Sequence, residues 1–164
     1  MKSTEVITNR KKLDKDINKY WNILIHENVI EKGQTRNYDM KNLIKCIEDL
    51  GEKRVQNKLD SLCVNLGFKS RNDFPKESIY PVIYKLSEKN ELFVRLNLIK
   101  TINPKLKTKL GKDKLRTTEE LTADYIAKLR NEIQLEINAL RKKLEEYNDS
   151  FELDTNTAYM LLAA

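Results

Sequence analysis

The chain has 164 residues, 31 Lys or Arg against 25 Asp or Glu, and a net charge of +6. That length makes one domain with a core that needs neither disulfide nor metal, and no apolar run approaches the ~20 residues of a membrane-spanning helix. The two cysteines, Cys46 and Cys63, fall in one predicted helix, roughly 25 Å apart at ~1.5 Å rise per residue, which excludes a disulfide between them.

Only 4 Gly and 3 Pro are present, and charged residues make up 34% of the chain, as suits long helices with wet outer faces. The opening residues Met1-Lys2-Ser3-Thr4-Glu5 lack the apolar stretch of a signal peptide, so the expected location is cytoplasmic. A first helix is predicted from Ser3 or Thr4 to about Glu27. Leu13, Ile17, Tyr20 and Leu24 recur at spacings of 4, 3 and 4, while Trp21 and Ile25 widen the stripe. Residues 28–39 hold Gly33 and read as a connection in which Val29-Ile30 is briefly extended.

A second helix is expected near Asn37 or Asp39, either of which can cap it. Met40, Leu43, Ile47 and Leu50 form one stripe and Val55, Leu59, Leu62 and Leu66 another. Gly51 between them shifts the phase and suggests a kink or break. Gly67-Phe68 matches a left-handed C-terminal cap folding back on Leu62 or Cys63. A loop through Pro75 follows, then a third helix from about Ser78, with Pro81 in its first turn, ending before Pro104. Val82, Leu86, Phe93, Leu96 and Ile99 mark its apolar side.

Residues 100–116 contain Lys100, Lys105, Lys107, Lys109, Lys112, Lys114 and Arg116 against one acid, Asp113. The excess of six equals the net charge of the whole chain. Read as a basic loop, the segment could lay several ammonium groups along a phosphate backbone; the plain alternative is a solvated connector. No aromatic residue interleaves these lysines, so stacking on bases is not expected.

The last helix is predicted to start at the capping-box pattern Thr117-Thr118-Glu119-Glu120. Its seam, Ile126, Leu129, Ile133, Ile137, Leu140, Leu144, Tyr147 and Phe151, keeps spacings of 3 or 4 and calls for a coiled-coil-like partner, within the chain or from another copy. The single domain is expected to span 1–157. Residues 158–164 form a short apolar tail that either docks on a helix or second subunit, or resembles the C-terminal tags gripped by bacterial unfoldases.

His26 is the only histidine, which excludes His-based metal clusters and two-histidine catalysis. No Gly-rich phosphate loop, HExxH or GxSxG pattern occurs. No catalytic residue, metal ligand or cofactor is assigned, and the reading leans away from an enzyme.

The opening Glu5, Ile7, Arg10 and Leu13, then Asn28-Val29-Ile30-Glu31-Lys32-Gly33, Asn65-Leu66, Lys85-Leu86-Ser87-Glu88-Lys89 and the ending Tyr147-Asn148-Asp149-Ser150-Phe151-Glu152-Leu153 carry a family likeness. In these short motifs over residues 1–153 the chain resembles the septicolysin-like family of small bacterial helical proteins. The ending departs from that family's aromatic-Thr-Thr-Glu-Leu, and the tail is extra. The resemblance implies a helical hairpin assembly and no catalytic residues. Its name suggests membrane damage, which no helix here is apolar enough to support.

The expected fold is all-α, an antiparallel helical bundle of coiled-coil hairpins with about four main helices. The leading functional expectation is a non-enzymatic protein–protein interaction module that forms homo-oligomers. The alternative is a sequence-nonspecific nucleic-acid binder acting through Lys105, Lys107, Lys109, Lys112, Lys114 and Arg116. A membrane partner is not expected.

Overall fold

The computed structural model describes residues 1–160, apart from the side chain of Lys112. The chain is all-α. Among the described residues there are five α-helices, α1 (Ser3–Glu27), α2 (Met40–Asn65), α3 (Tyr80–Leu96), α4 (Pro104–Leu110) and α5 (Ala123–Ser150), and two short strands, β1 (Val29–Glu31) and β2 (Thr117–Glu119).

The four long helices run alternately up and down. α1 packs on α2, α2 on α3 and α3 on α5, each pair antiparallel, with the end of one helix beside the start of the next, as the contacts Asn57–Val6, Lys89–Glu48 and Lys89–Glu136 show. Their apolar stripes meet in one core of Ile17, Trp21, Leu24, Met40, Leu43, Ile44, Ile47, Leu92, Leu96, Ile99, Leu121, Ile126, Ile133 and Ile137. The core is densest where α1 ends, α2 begins, α3 ends and α5 begins. Leu24, Met40, Leu96 and Leu121 have no solvent exposure there.

Several predicted boundaries hold. Asp39 caps α2, its carboxylate accepting the Asn42 N–H at 2.9 Å. Gly67 takes φ +74°, and the Phe68 and Gly67 N–H groups donate to the carbonyls of Cys63 and Val64 at 2.9 and 3.1 Å, the paired bonds that close a helix through a left-handed residue.

Four expectations are corrected. α2 runs unbroken through Gly51, because the buried face carries on past it through Gly51, the charged Arg54 and the apolar Val55. The third helix stops at Leu96 rather than near Pro104. Residues 104–110 are not an extended loop but a helix, opened by Asn103, whose side chain accepts the Lys105 N–H, with Pro104 in the first turn. The last helix starts at Ala123, capped by Thr122, whose hydroxyl accepts the Tyr125 N–H at 3.1 Å. Thr117–Glu119 instead pairs antiparallel with β1, Ile30 opposite Thr118.

Of the α5 seam, Ile126, Ile133 and Ile137 are buried within the chain and Leu129 packs against the core. Leu140, Leu144 and Tyr147 are half-buried. Phe151 lies past the helix end, 57% exposed, and stacks on Tyr147 with ring centroids 5.1 Å apart. The seam's partner over its first half is thus α3 of the same chain. Of the tail, Tyr159 and Met160 are exposed; residues 161–164 lie outside the described residues.

Candidate functional site

The basic segment folds as a cap over the closed end of the bundle, and two buried polar side chains hold it there. Asn28, the residue after α1, is fully buried. Its amide donates to the carbonyls of Lys100 and Leu121 at 2.8 and 2.9 Å, and its oxygen accepts the Leu121 N–H at 2.8 Å. One side chain thereby satisfies three backbone groups on both sides of the segment, both of Leu121's buried and that of Lys100 partly so. Arg36 closes α1 beside it, donating to the carbonyls of Glu27 and Asn28 at 2.6 and 2.8 Å.

Glu119 is the second anchor. Its side chain is 4% exposed; one carboxylate oxygen accepts the Ile102 N–H and the other pairs with the Lys107 ammonium. The next acid, Glu120, accepts the Lys41 N–H at 2.9 Å, placing negative charge at the positive end of α2. The Thr-Thr-Glu-Glu pattern therefore serves neighbouring elements rather than capping its own helix.

These anchors sort the predicted basic residues. Lys107 faces inward and is neutralised by Glu119. Lys105 and Lys109 are exposed and lie four apart on α4, on one face. Lys114 ends the short turn Lys112–Lys114 and Arg116 follows it, both exposed, and Lys100 is exposed ahead of α4. None of these five pairs with a carboxylate among the described residues. Lys32 joins them from the β1 side, its ammonium 3.4 Å from the Asp113 carbonyl and its N–H bonded to the Arg116 carbonyl at 2.8 Å. The sequence pattern missed Lys32, Asn28 and Glu119, because the pairing of β1 with β2 that brings them together is not periodic.

A second feature lies away from the cap. Between the α1/α2 hairpin and the α3/α5 hairpin, about midway along the helices, lies a cleft of about 540 Å³. At its back Arg54, from α2, ties three helices together. Its guanidinium donates to Glu88 at 2.6 Å through two nitrogens, to Asp14 at 3.0 Å and to Glu91. Burial alone would lower the Arg54 pKa, but the bonds to Glu88 and Asp14 outweigh it and hold the group above its ordinary value. Lys89 bridges Glu136 at 2.6 Å and Glu48 at 3.7 Å nearby. Among the described residues, no group of three or more His, Cys, Asp or Glu side chains is placed to hold a metal ion, and no helix is long and apolar enough to cross a membrane.

No protein-family model, curated protein or solved structure matches the chain.

Proposed function

We propose that the protein is a binding module whose cap engages a polyanion, most simply the phosphate backbone of a nucleic acid, without reading sequence. The observation that carries this reading is a cluster of exposed cationic side chains (Lys32, Lys100, Lys105, Lys109, Lys114 and Arg116) on backbone fixed by Asn28 and Glu119. A solvated connector has no need of a buried Asn and a buried Glu to hold it. Ordering the backbone before binding removes part of the entropy a flexible lysine tract loses on contact with a ligand. Because the cap carries no aromatic residue between 100 and 116, contacts go to phosphates, which position the protein but carry no sequence information.

The reading is tested by fluorescence anisotropy with labelled duplexes of unrelated sequence. Affinities should agree within about threefold and fall steeply with salt. Preference for one sequence, or indifference to salt, would contradict phosphate binding.

A second reading, a self-associating interaction module, is supported by the cleft and by apolar side chains left in water at the α4 surface and the chain's end. Leu106, Leu110, Phe151 and Leu153 are 44%, 39%, 57% and 65% exposed.

A further inference from the structure

The cleft between the hairpins takes no part in the polyanion reading. Its floor is the outer edge of the core, Ile17, Trp21 and Leu92 with the half-buried Leu140, and charged side chains including Glu48, Lys85, Lys89 and Glu136 rim it. On its α2 lip Asp49 and Glu52 are exposed, stand about one helical turn apart and pair with no basic side chain among the described residues.

α4 presents the complementary set. Leu106 and Leu110 lie one turn apart and are exposed, flanked by the unpaired Lys105 and Lys109, also one turn apart. Two leucines on a seven-residue helix favour a surface that removes them from water. Glu119 pins α4 at the capped end, so it does not reach the cleft of its own chain.

We propose that the cleft is the docking site for α4 of a second copy. Leu106 and Leu110 lie over the apolar floor, and Lys105 and Lys109 face Asp49 and Glu52. This rests on the interaction-module reading and supplies its partner. The contact is head to tail: it closes into a ring if the rotation between copies allows, and otherwise association continues along a chain. Its ion pairs sit at an exposed lip and are screened by salt. A polyanion on the cap competes with it for Lys105 and Lys109.

Sedimentation velocity on the full chain and two surface variants, each checked for helix content, tests the contact. At low salt the wild type should gain average mass with concentration, and revert to monomer in high salt or on adding a short duplex. Lys105→Glu/Lys109→Glu and Asp49→Lys/Glu52→Lys should each stay monomeric alone. Mixed, the native α4 of one meets the native cleft of the other and the reversed α4 meets the reversed cleft, so opposite charges face each other at both contacts and association should return. Association of the wild type that both variants retain would overturn the α4–cleft contact while leaving the module reading in place, and so would a mixture that stays monomeric. A wild type that is monomeric at every concentration in low salt would overturn the self-association reading itself.

Discussion

Asn28 and Arg54 each concentrate several interactions in one buried side chain, and both make sharp predictions. Replacing Asn28 by Ala leaves two carbonyls and one N–H without partners inside the cap. Each buried unsatisfied group costs about 1–3 kcal/mol, so denaturant unfolding should show a loss of roughly 3 kcal/mol. A loss under 1 kcal/mol would mean water replaces the amide and that the cap is not held as described. Arg54→Met removes both hydrogen bonds to Glu88, whose side chain is only 12% exposed, leaves it with Lys58 alone at 3.5 Å, and removes the tie to Asp14 and Glu91. Breaking a buried ion pair from one side costs about 3–5 kcal/mol, whereas Glu88→Gln, which keeps a hydrogen-bonding partner for the guanidinium, should cost less. Equal losses from the two variants would contradict the view that an uncompensated buried charge sets the penalty. Cys63 belongs at this scale too. Burial and the neighbouring Asp60 push its thiol above the ordinary value, so at pH 8 it holds less thiolate than a free cysteine and should react more slowly with a thiol reagent. Reaction at the free-thiol rate would contradict its burial.

Element by element, the apolar periodicity located the long helices well. α1 and the α2 termini sit where the stripes and the Asp39 and Gly67 signals place them, since those signals act within one or two turns. Two of the failures share a cause, residues whose partners lie far away in sequence, whereas α4 opens on a local signal, the Asn103 cap with Pro104 behind it. Gly51 looks like an interruption in a helix, yet it is the point where α3 comes close. A Cβ added there would meet a Glu88 carboxylate oxygen at 3.3 Å. An interior Gly→Ala change in a free helix gains about 1 kcal/mol. Glu88 is held by Arg54 and Lys58 and cannot yield without cost, so Gly51→Ala should gain nothing measurable. A full stabilisation in chemical unfolding would show that α2 and α3 are farther apart. Likewise Thr117-Thr118-Glu119-Glu120 carries a valid start pattern, but the ladder to Val29–Glu31 competes for the same backbone and wins. Thr122→Ala should therefore cost about 1 kcal/mol through the lost cap, and Thr117→Ala clearly less. The reverse order would restore the earlier helix start.

In the molecule as a whole, the excess positive charge and the cleft occupy different places. The capped end holds the basic residues that produce the net +6, and the cleft with its acidic lip lies midway along the helices. The charge run was legible in the sequence as a run; what it lacked was geometry. Folding turned Lys107 inward onto Glu119, added Lys32 from another element, and fixed Lys105 and Lys109 on one helical face. Clustering of that kind distinguishes a binding surface from a uniformly basic protein, and the distinction is measurable. The decisive comparison is the salt dependence of duplex binding for three proteins: the wild type, a cap variant with Lys100, Lys105, Lys109, Lys114 and Arg116 changed to Ala, and a control with the exposed Lys11, Lys12 and Lys15 of α1 changed to Ala. If the cap makes about five phosphate contacts, log K should fall against log salt with a slope near −4 to −5 for both the wild type and the control, and the cap variant should lose binding. A cap variant that binds like the wild type, or a control that weakens as much as the cap variant, would show that net charge alone attracts the duplex and that the cap is not the site.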